Sequence, residues 1–100
     1  MTNAAPTIAA TIAQQLGGMN RIAAMTGARD FIDMGNGLKF KVSGGRWVTV
    51  TLGSDDLYAV TVHKMNRRTF EVAILGEAAM VYADSLRRTV ESLTGLYLSL

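Results

Sequence analysis

The chain has 100 residues, of which 49% are hydrophobic and 18% charged, and its formal net charge is +2. A chain of this length and hydrophobic content forms one domain with a modest core, which excludes a disordered protein. The absence of cysteine excludes disulfides and thiolate metal sites. We therefore expect a single domain over residues 1–100, with residues 1–6 frayed.

Membrane and export signals are missing from the pattern. No basic region precedes the first apolar residues, which disfavours a signal peptide. No apolar run approaches the ~20 residues that a membrane-spanning helix needs. We expect a cytoplasmic protein with no membrane contact. The mild positive charge permits an anionic partner but does not require one.

Two short helices are predicted at the N-terminal end. The first begins after Thr7, a suitable N-cap, and ends at the glycine pair 17–18. The second is capped by Asn20 and closed by Gly27. Two helices around a glycine turn could form a DNA-binding helix-turn-helix, but the second helix offers only Asn20 and Arg21 as polar groups at its exposed start. Packing of both helices on a sheet is the favoured interpretation.

Alternating residues between positions 38 and 75 predict an antiparallel sheet with strands at 38–42, 47–52, 57–64 and 69–75. A three-residue turn at 43–45 pairs Phe40 with Val48, whereas a two-residue turn would mix apolar and polar faces. The last hairpin is predicted to turn at 65–67 and to pair Val60 with Val72. The predicted inner face consists of Leu38, Phe40, Val48, Val50, Tyr58, Val60, Val62, Phe70, Val72 and Ile74.

An additional first strand is predicted at residues 31–34. A three-residue turn at 35–37 would direct Ile32 toward the inner face beside Phe40, with Phe31 outside. A two-residue turn at 36–37 would mix the faces unless a bulge intervened.

The end of the chain predicts a second helical layer. Gly76 ends the sheet, and residues 80–93 form an amphipathic helix closed by Gly95. The apolar tail Leu96, Leu98 and Leu100 is expected to dock on the core. The fold class is therefore α+β, an antiparallel meander of four or five strands with N-terminal and C-terminal helices on one face, in the order α-α-β-β-β-β-β-α.

Five stretches, in the same order along nearly the whole chain, are similar to a family of small phage, mobile-element and bacterial proteins of unknown function. They are QQLGG at 14–18, AMTGA at 24–28, DLYxV at 56–60, VYADxL at 81–86 and TGLY at 94–97. The resemblance implies an accessory protein of a mobile element and carries no catalytic residues. The chain departs from the family at the turn 43–45, which is shorter.

Catalytic groups are scarce. His63 is the single histidine, and the predicted register places it opposite Trp47 and Thr69 with no carboxylate beside it. Asp55 and Asp56 follow a glycine and a serine, which is typical of a turn. We therefore predict no enzyme, no catalytic residue, no metal site and no cofactor.

A basic and aromatic surface is predicted on the outer face of the sheet, at the end that carries the turns 43–45 and 65–67. Sheet faces of this kind stack bases and bind phosphates in single-strand binders. A solvated turn region with a cation–π pair, or a Trp47 buried by helices on both faces, would equally explain the residues. The candidate surface consists of Lys41, Arg46, Trp47, His63, Lys64, Arg67 and Arg68.

Two functions follow as hypotheses. The first is a non-enzymatic accessory factor that binds a host or phage protein, with inhibition of a host defence system as one such role. The alternative is a nucleic-acid-binding module that uses the face around Trp47 and His63. The sequence predicts no oligomeric state.

Overall fold

The computed structural model describes residues 7–96. Within that range the order α-α-β-β-β-β-β-α and the α+β class are confirmed. The elements are α1 Ile8–Gln15, α2 Met19–Thr26, β1 Arg29–Asp33, β2 Gly37–Val42, β3 Arg46–Leu52, β4 Tyr58–Met65, β5 Val72–Val81, a 3-10 helix Ala83–Ser85 and α3 Leu86–Thr94.

The five strands form one antiparallel meander in the order β1-β2-β3-β4-β5. Helix α1 packs on β2, and α3 packs on β4 and β5. Their apolar residues join the inner face of the sheet in one core. The largest fully buried side chains are Phe40, Ile12, Leu16, Ile22, Leu86, Val48, Val50, Val60, Val62 and Val90.

The helix ends follow the predicted chemistry with one exception. The Thr7 hydroxyl accepts a hydrogen bond from the Ala10 amide at 3.0 Å, and Gly27 ends α2 in the left-handed conformation. The prediction that Asn20 caps α2 is wrong, because the helix already begins at Met19 behind Gly18. The predicted fraying of residues 1–6 lies outside the described residues.

The register of β2, β3 and β4 is confirmed. Phe40 pairs with Val48, and Val50 pairs with Val60, around the three-residue turn 43–45. Because residues of one strand alternate between faces, this register buries every apolar residue of the central strands that was assigned to the inner face.

The faces of β1 are reversed from the prediction. The chain turns through Gly35 and Asn36 alone, one residue fewer than expected, so Ile32 pairs with Lys39 on the outer face. Phe31 lies inward instead, with its ring 5.5 Å from that of Phe40. A shift of one residue in register is enough to exchange the two faces.

The predicted register of the last hairpin is wrong. Strand β5 continues past Gly76 to Val81, and Val60 pairs with Ala78 rather than Val72. Phe70, Val72 and Ile74 are consequently exposed, by 74%, 57% and 56% respectively. Small residues, Gly76 and Ala78, occupy the inner positions under α3.

Close packing of α3 explains this register. A Cβ atom on Gly76 would lie 3.1 Å from Leu93 Cδ2, so a side chain in that position would press against the helix. The helix itself is shorter than predicted, since residues 80–81 belong to β5. Its apolar stripe is retained, with Leu86 and Val90 buried.

The end of α3 has the predicted glycine cap. Gly95 ends α3 in the left-handed conformation, and its amide donates to the Glu91 carbonyl at 2.8 Å. Leu96 packs partly buried against the core, as expected of the tail. Leu98 and Leu100 lie outside the described residues.

Candidate binding surface on the outer face of the sheet

Three of the predicted site residues form a row across the outer face. Lys41 pairs with Trp47, and Trp47 pairs with His63. The row ends at Ile74, not at the predicted Thr69, because the register of β5 is different. Phe31, which was also predicted on the outer face, packs on the opposite face.

Two lysines cover the indole of Trp47. The Lys39 ammonium lies 4.9 Å from the ring centroid and that of Lys41 lies 5.8 Å from it. Trp47 is half-buried in this position. The cation–π interpretation of this tryptophan is confirmed, and its ring is already occupied by cations of the same chain.

His63 lies beside this pair. Partial burial lowers the pKa of its imidazole below the usual 6.5, and the nearby positive charge of Lys39 lowers it further. The imidazole is therefore neutral at physiological pH and can both donate and accept a hydrogen bond.

Arg46 does not belong to the predicted surface. It pairs with Val42, the last residue of β2 on the inner side, and its Nη1 donates to the Thr94 carbonyl at 2.6 Å. A cation at a helix C-terminus satisfies a carbonyl that has no partner within the helix. Arg46 therefore fastens α3 to the β2–β3 hairpin, and the period-two alternation that placed Trp47 outside could have indicated this inward position.

The turn at 43–45 is also attached to α2. The Ser43 amide donates to the Thr26 carbonyl at 3.0 Å, and the Ser43 carbonyl accepts two longer bonds from Arg46 at 3.4 Å. The C-termini of both α2 and α3 thus form hydrogen bonds with the same hairpin end.

The β4–β5 connection is a six-residue loop, 66–71, and not the predicted turn at 65–67. The Asn66 side chain accepts hydrogen bonds from the amides of Arg68 and Thr69 at 2.9 and 3.4 Å, while the Phe70 amide donates to the Asn66 carbonyl at 2.7 Å. An asparagine that organises a loop in this way is usual turn chemistry. Arg67 and Arg68 are exposed on this loop.

An open groove of about 790 Å³ lies between the hairpin end and this loop. Four of the seven predicted surface residues line it, whereas Arg46, His63 and Arg68 do not. The groove combines a tryptophan and apolar side chains with three cations and a single carboxylate among its lining residues. These are Lys41, Gly44, Gly45, Trp47, Lys64, Met65, Asn66, Arg67, Glu71, Val72, Ala73 and Leu75.

The apolar part of the groove was missed from the sequence. Met65, Val72 and Leu75 are 45%, 57% and 53% exposed. Val72 was assigned to the inner face and Met65 to the turn 65–67, and Leu75 was given no role on the outer surface. The signal that could have located them is the row of small residues at Gly76 and Ala78, which suits a strand lying close under a helix.

No group of three or more His, Cys, Asp or Glu residues that could hold a metal ion occurs among residues 7–96. Over the same range, no helix has the length and apolar character needed to cross a membrane. Comparison with protein-family models, with curated proteins and with solved structures finds no match.

Proposed function

We propose that this protein is a non-enzymatic binding domain whose outer groove takes an extended segment of a partner protein. The observation that carries the proposal is the combination of exposed apolar side chains with a cationic rim in one open groove. The segment that fits it has apolar side chains flanked by carboxylates.

The floor of the groove supports a protein ligand. Met65, Val72 and Leu75 expose apolar surface that water solvates poorly, and methionine adapts to ligands of different shape. Exposed apolar patches rimmed by polar groups are typical of protein interaction sites.

The rim supports carboxylates in that ligand. Lys41, Lys64 and Arg67 approach the groove from three different elements, and Glu71 is the one acid that lines it. Complementary charge of this kind speeds association and selects the partner more than it adds affinity.

The wider biological role stays a prediction. An accessory function in a mobile element, and inhibition of a host defence system, follow from the resemblance alone. Both are compatible with a groove that binds a protein segment.

Selection from a displayed library of short random peptides tests the proposal. We expect enrichment of peptides with two apolar residues and at least one flanking acid. The double variant Lys41→Glu with Arg67→Glu should bind an enriched peptide at least about tenfold more weakly, because both new carboxylates repel those of the peptide.

Arg88→Glu is the matched control. Arg88 is exposed on α3, so its substitution makes the same kind of charge change away from the groove. Peptides that bind all three proteins equally, or a selection without enrichment, would contradict the proposed groove function.

A nucleic acid is the second candidate ligand, and the cations around Trp47 favour it. Against it, Lys39 and Lys41 already occupy the neighbourhood of the indole ring, where a base would have to stack. Fluorescence anisotropy with single-stranded DNA decides the question. Phosphate binding would appear at low salt and fall steeply as salt increases, and its absence at low salt would eliminate this candidate.

A further inference from the structure

Left-handed backbone occurs at four residues other than glycine within positions 7–96: Asp30, Asp56, Phe70 and Met80. Aspartate visits this region more readily than most side chains do. Met80 lies at a register shift between β4 and β5, where a bulge accounts for its conformation. Phe70 has neither explanation, and its φ of 61° is unfavourable for a bulky side chain.

Hydrogen bonds of the loop 66–71 hold residue 70 in this conformation. The Asn66 amide donates to the Glu71 carbonyl at 2.8 Å, and the Phe70 amide donates to the Asn66 carbonyl at 2.7 Å. Glycine adopts a positive φ without steric cost, as Gly44 does in the turn at the same end of the sheet. A phenylalanine at this position instead stores backbone strain.

The ring of Phe70 contributes little to the stability of the fold. The residue is 74% exposed, and it belongs neither to the buried core nor to the residues of 7–96 that pack against that core. Strained residues persist mainly where a function uses them. Strain at Phe70 without a packing role therefore indicates that the ring serves in binding.

Phe70 lies beside the groove of the proposed function. Its neighbour Glu71 lines that groove, as do Asn66 and Arg67 of the same loop, whereas Phe70 itself does not. Adjacent Cα atoms are about 3.8 Å apart, so a segment that fills the groove and continues past Glu71 reaches the ring.

We propose that Phe70 is an anchor for the bound segment, which continues over the loop 66–71 and packs an apolar side chain against this ring. The inference rests on the proposed function and adds one apolar position to the ligand, next to the acid that Arg67 attracts. Aromatic residues are enriched in the cores of protein interfaces. A loop that is hydrogen-bonded before binding also loses little conformational freedom on binding.

Thermal melting of Phe70→Gly tests the strain. Glycine relieves the left-handed backbone and retains the amide that donates to Asn66, so the melting temperature should rise by roughly 4 °C. Phe70→Tyr keeps both the ring and the strain, and its melting temperature should equal that of the wild type. Asp56→Gly is the matched control, since Asp56 is left-handed and exposed in the turn at the opposite end of the sheet.

Selection from a displayed library of random peptides, long enough to span the groove and the loop, tests the contact. Wild type, Phe70→Tyr and Asp56→Gly should enrich peptides with an apolar residue beyond the acid, and Phe70→Gly should not select that residue. A peptide enriched on the wild type should bind Phe70→Gly at least about tenfold more weakly, although this variant is the more stable protein.

The outcomes separate the role of Phe70 from the function of the groove. Unchanged affinity of Phe70→Gly for peptides enriched on the wild type overturns the anchor and leaves the groove function standing. A melting temperature that fails to rise in both Phe70→Gly and Phe70→Asn, which also tolerates left-handed backbone, overturns the anchor as well. A wild-type selection without enrichment contradicts the groove function and, with it, this role of Phe70.

Discussion

Strands β2 to β4 and strand β5 show the same alternation of apolar and polar residues in sequence, but the alternating apolar residues are buried only in β2 to β4. In the central strands each apolar residue of the alternating set is buried: Val60, for example, is 0% exposed. In β5 the corresponding residue, Val72, is 57% exposed. Both valines were predicted to face the core and to pair with each other. The comparison shows that alternation establishes which residues share a face, while packing decides which face is covered.

The two regions differ because their strands have different neighbours. Central strands have neighbours on both sides, so a wrong register would expose two sets of apolar residues at once. Among residues 7–96, β5 pairs with the single strand β4, and it lies under α3 with Leu93 against Gly76. Small residues permit that approach, and the larger ones are directed outward, where Val72 and Leu75 line the groove.

The same charge placed at Val60 and at Val72 should have very different effects on stability. Val60→Asp should unfold the domain, because it buries an unpaired carboxylate among fully buried residues. Val72→Asp should change the free energy of unfolding by less than about 0.5 kcal/mol in dilute protein, as expected of an exposed position. Urea denaturation followed by circular dichroism measures both, and equal destabilisation would contradict the register of β5.

Gly37 in β2 and Gly76 in β5 should show a similar difference between the central strands and β5. A methyl group on Gly37 would overlap the Val50 carbonyl of the neighbouring strand, whereas on Gly76 it would meet the flexible end of Leu93 at 3.1 Å. We expect Gly37→Ala to lower the free energy of unfolding by about 2–3 kcal/mol and Gly76→Ala to lower it by less than about 1 kcal/mol. Denaturant midpoints provide the measurement, and the reverse order would mean that α3 packs more rigidly than the central strands.

The hairpin end and the loop 66–71, which border the groove, should also contribute unequally to stability. Arg46→Gln removes the hydrogen bond to the Thr94 carbonyl and should cost about 1 kcal/mol. Arg67→Gln, in the exposed loop, should leave the melting temperature unchanged. A larger decrease in melting temperature for Arg67→Gln than for Arg46→Gln would show that the loop, and not the hairpin end, stabilises the fold.

The smallest effect concerns His63, where the central strands meet β5. Lys39→Gln should raise the pKa of His63 toward 6.5 without reaching it, because burial is the larger cause of the lowering and persists. NMR titration of the imidazole measures the shift. Lys64→Gln is the control, and an equal shift in that variant would show that Lys39 has no specific influence.

The lowered pKa of His63 also determines how the stability of the fold changes with pH. Because the folded protein resists protonation of His63 relative to the unfolded chain, stability is complete above pH 6.5. It declines as pH falls from 6.5 through the lowered pKa of the folded state. His63→Gln should remove this part of the pH dependence.

The sequence by itself determined the element order, the α+β class and the register of β2 to β4. It did so because Phe40, Val48 and Val60 satisfy one alternation only when the first turn has three residues. It also determined that Lys41, Trp47 and His63 share an outer row, which depends on the same register.

Tertiary structure alone decided the rest. The inward position of Gly76 depends on its packing against Leu93 of α3, 17 positions further along the chain, and the loop 66–71 belongs to the same register. The partner of Arg46, the Thr94 carbonyl at the end of α3, was also decided by tertiary structure, whereas its inward position follows from the alternation in β3. Local patterns cannot specify such choices, since each is settled by packing between segments that meet only in the folded chain.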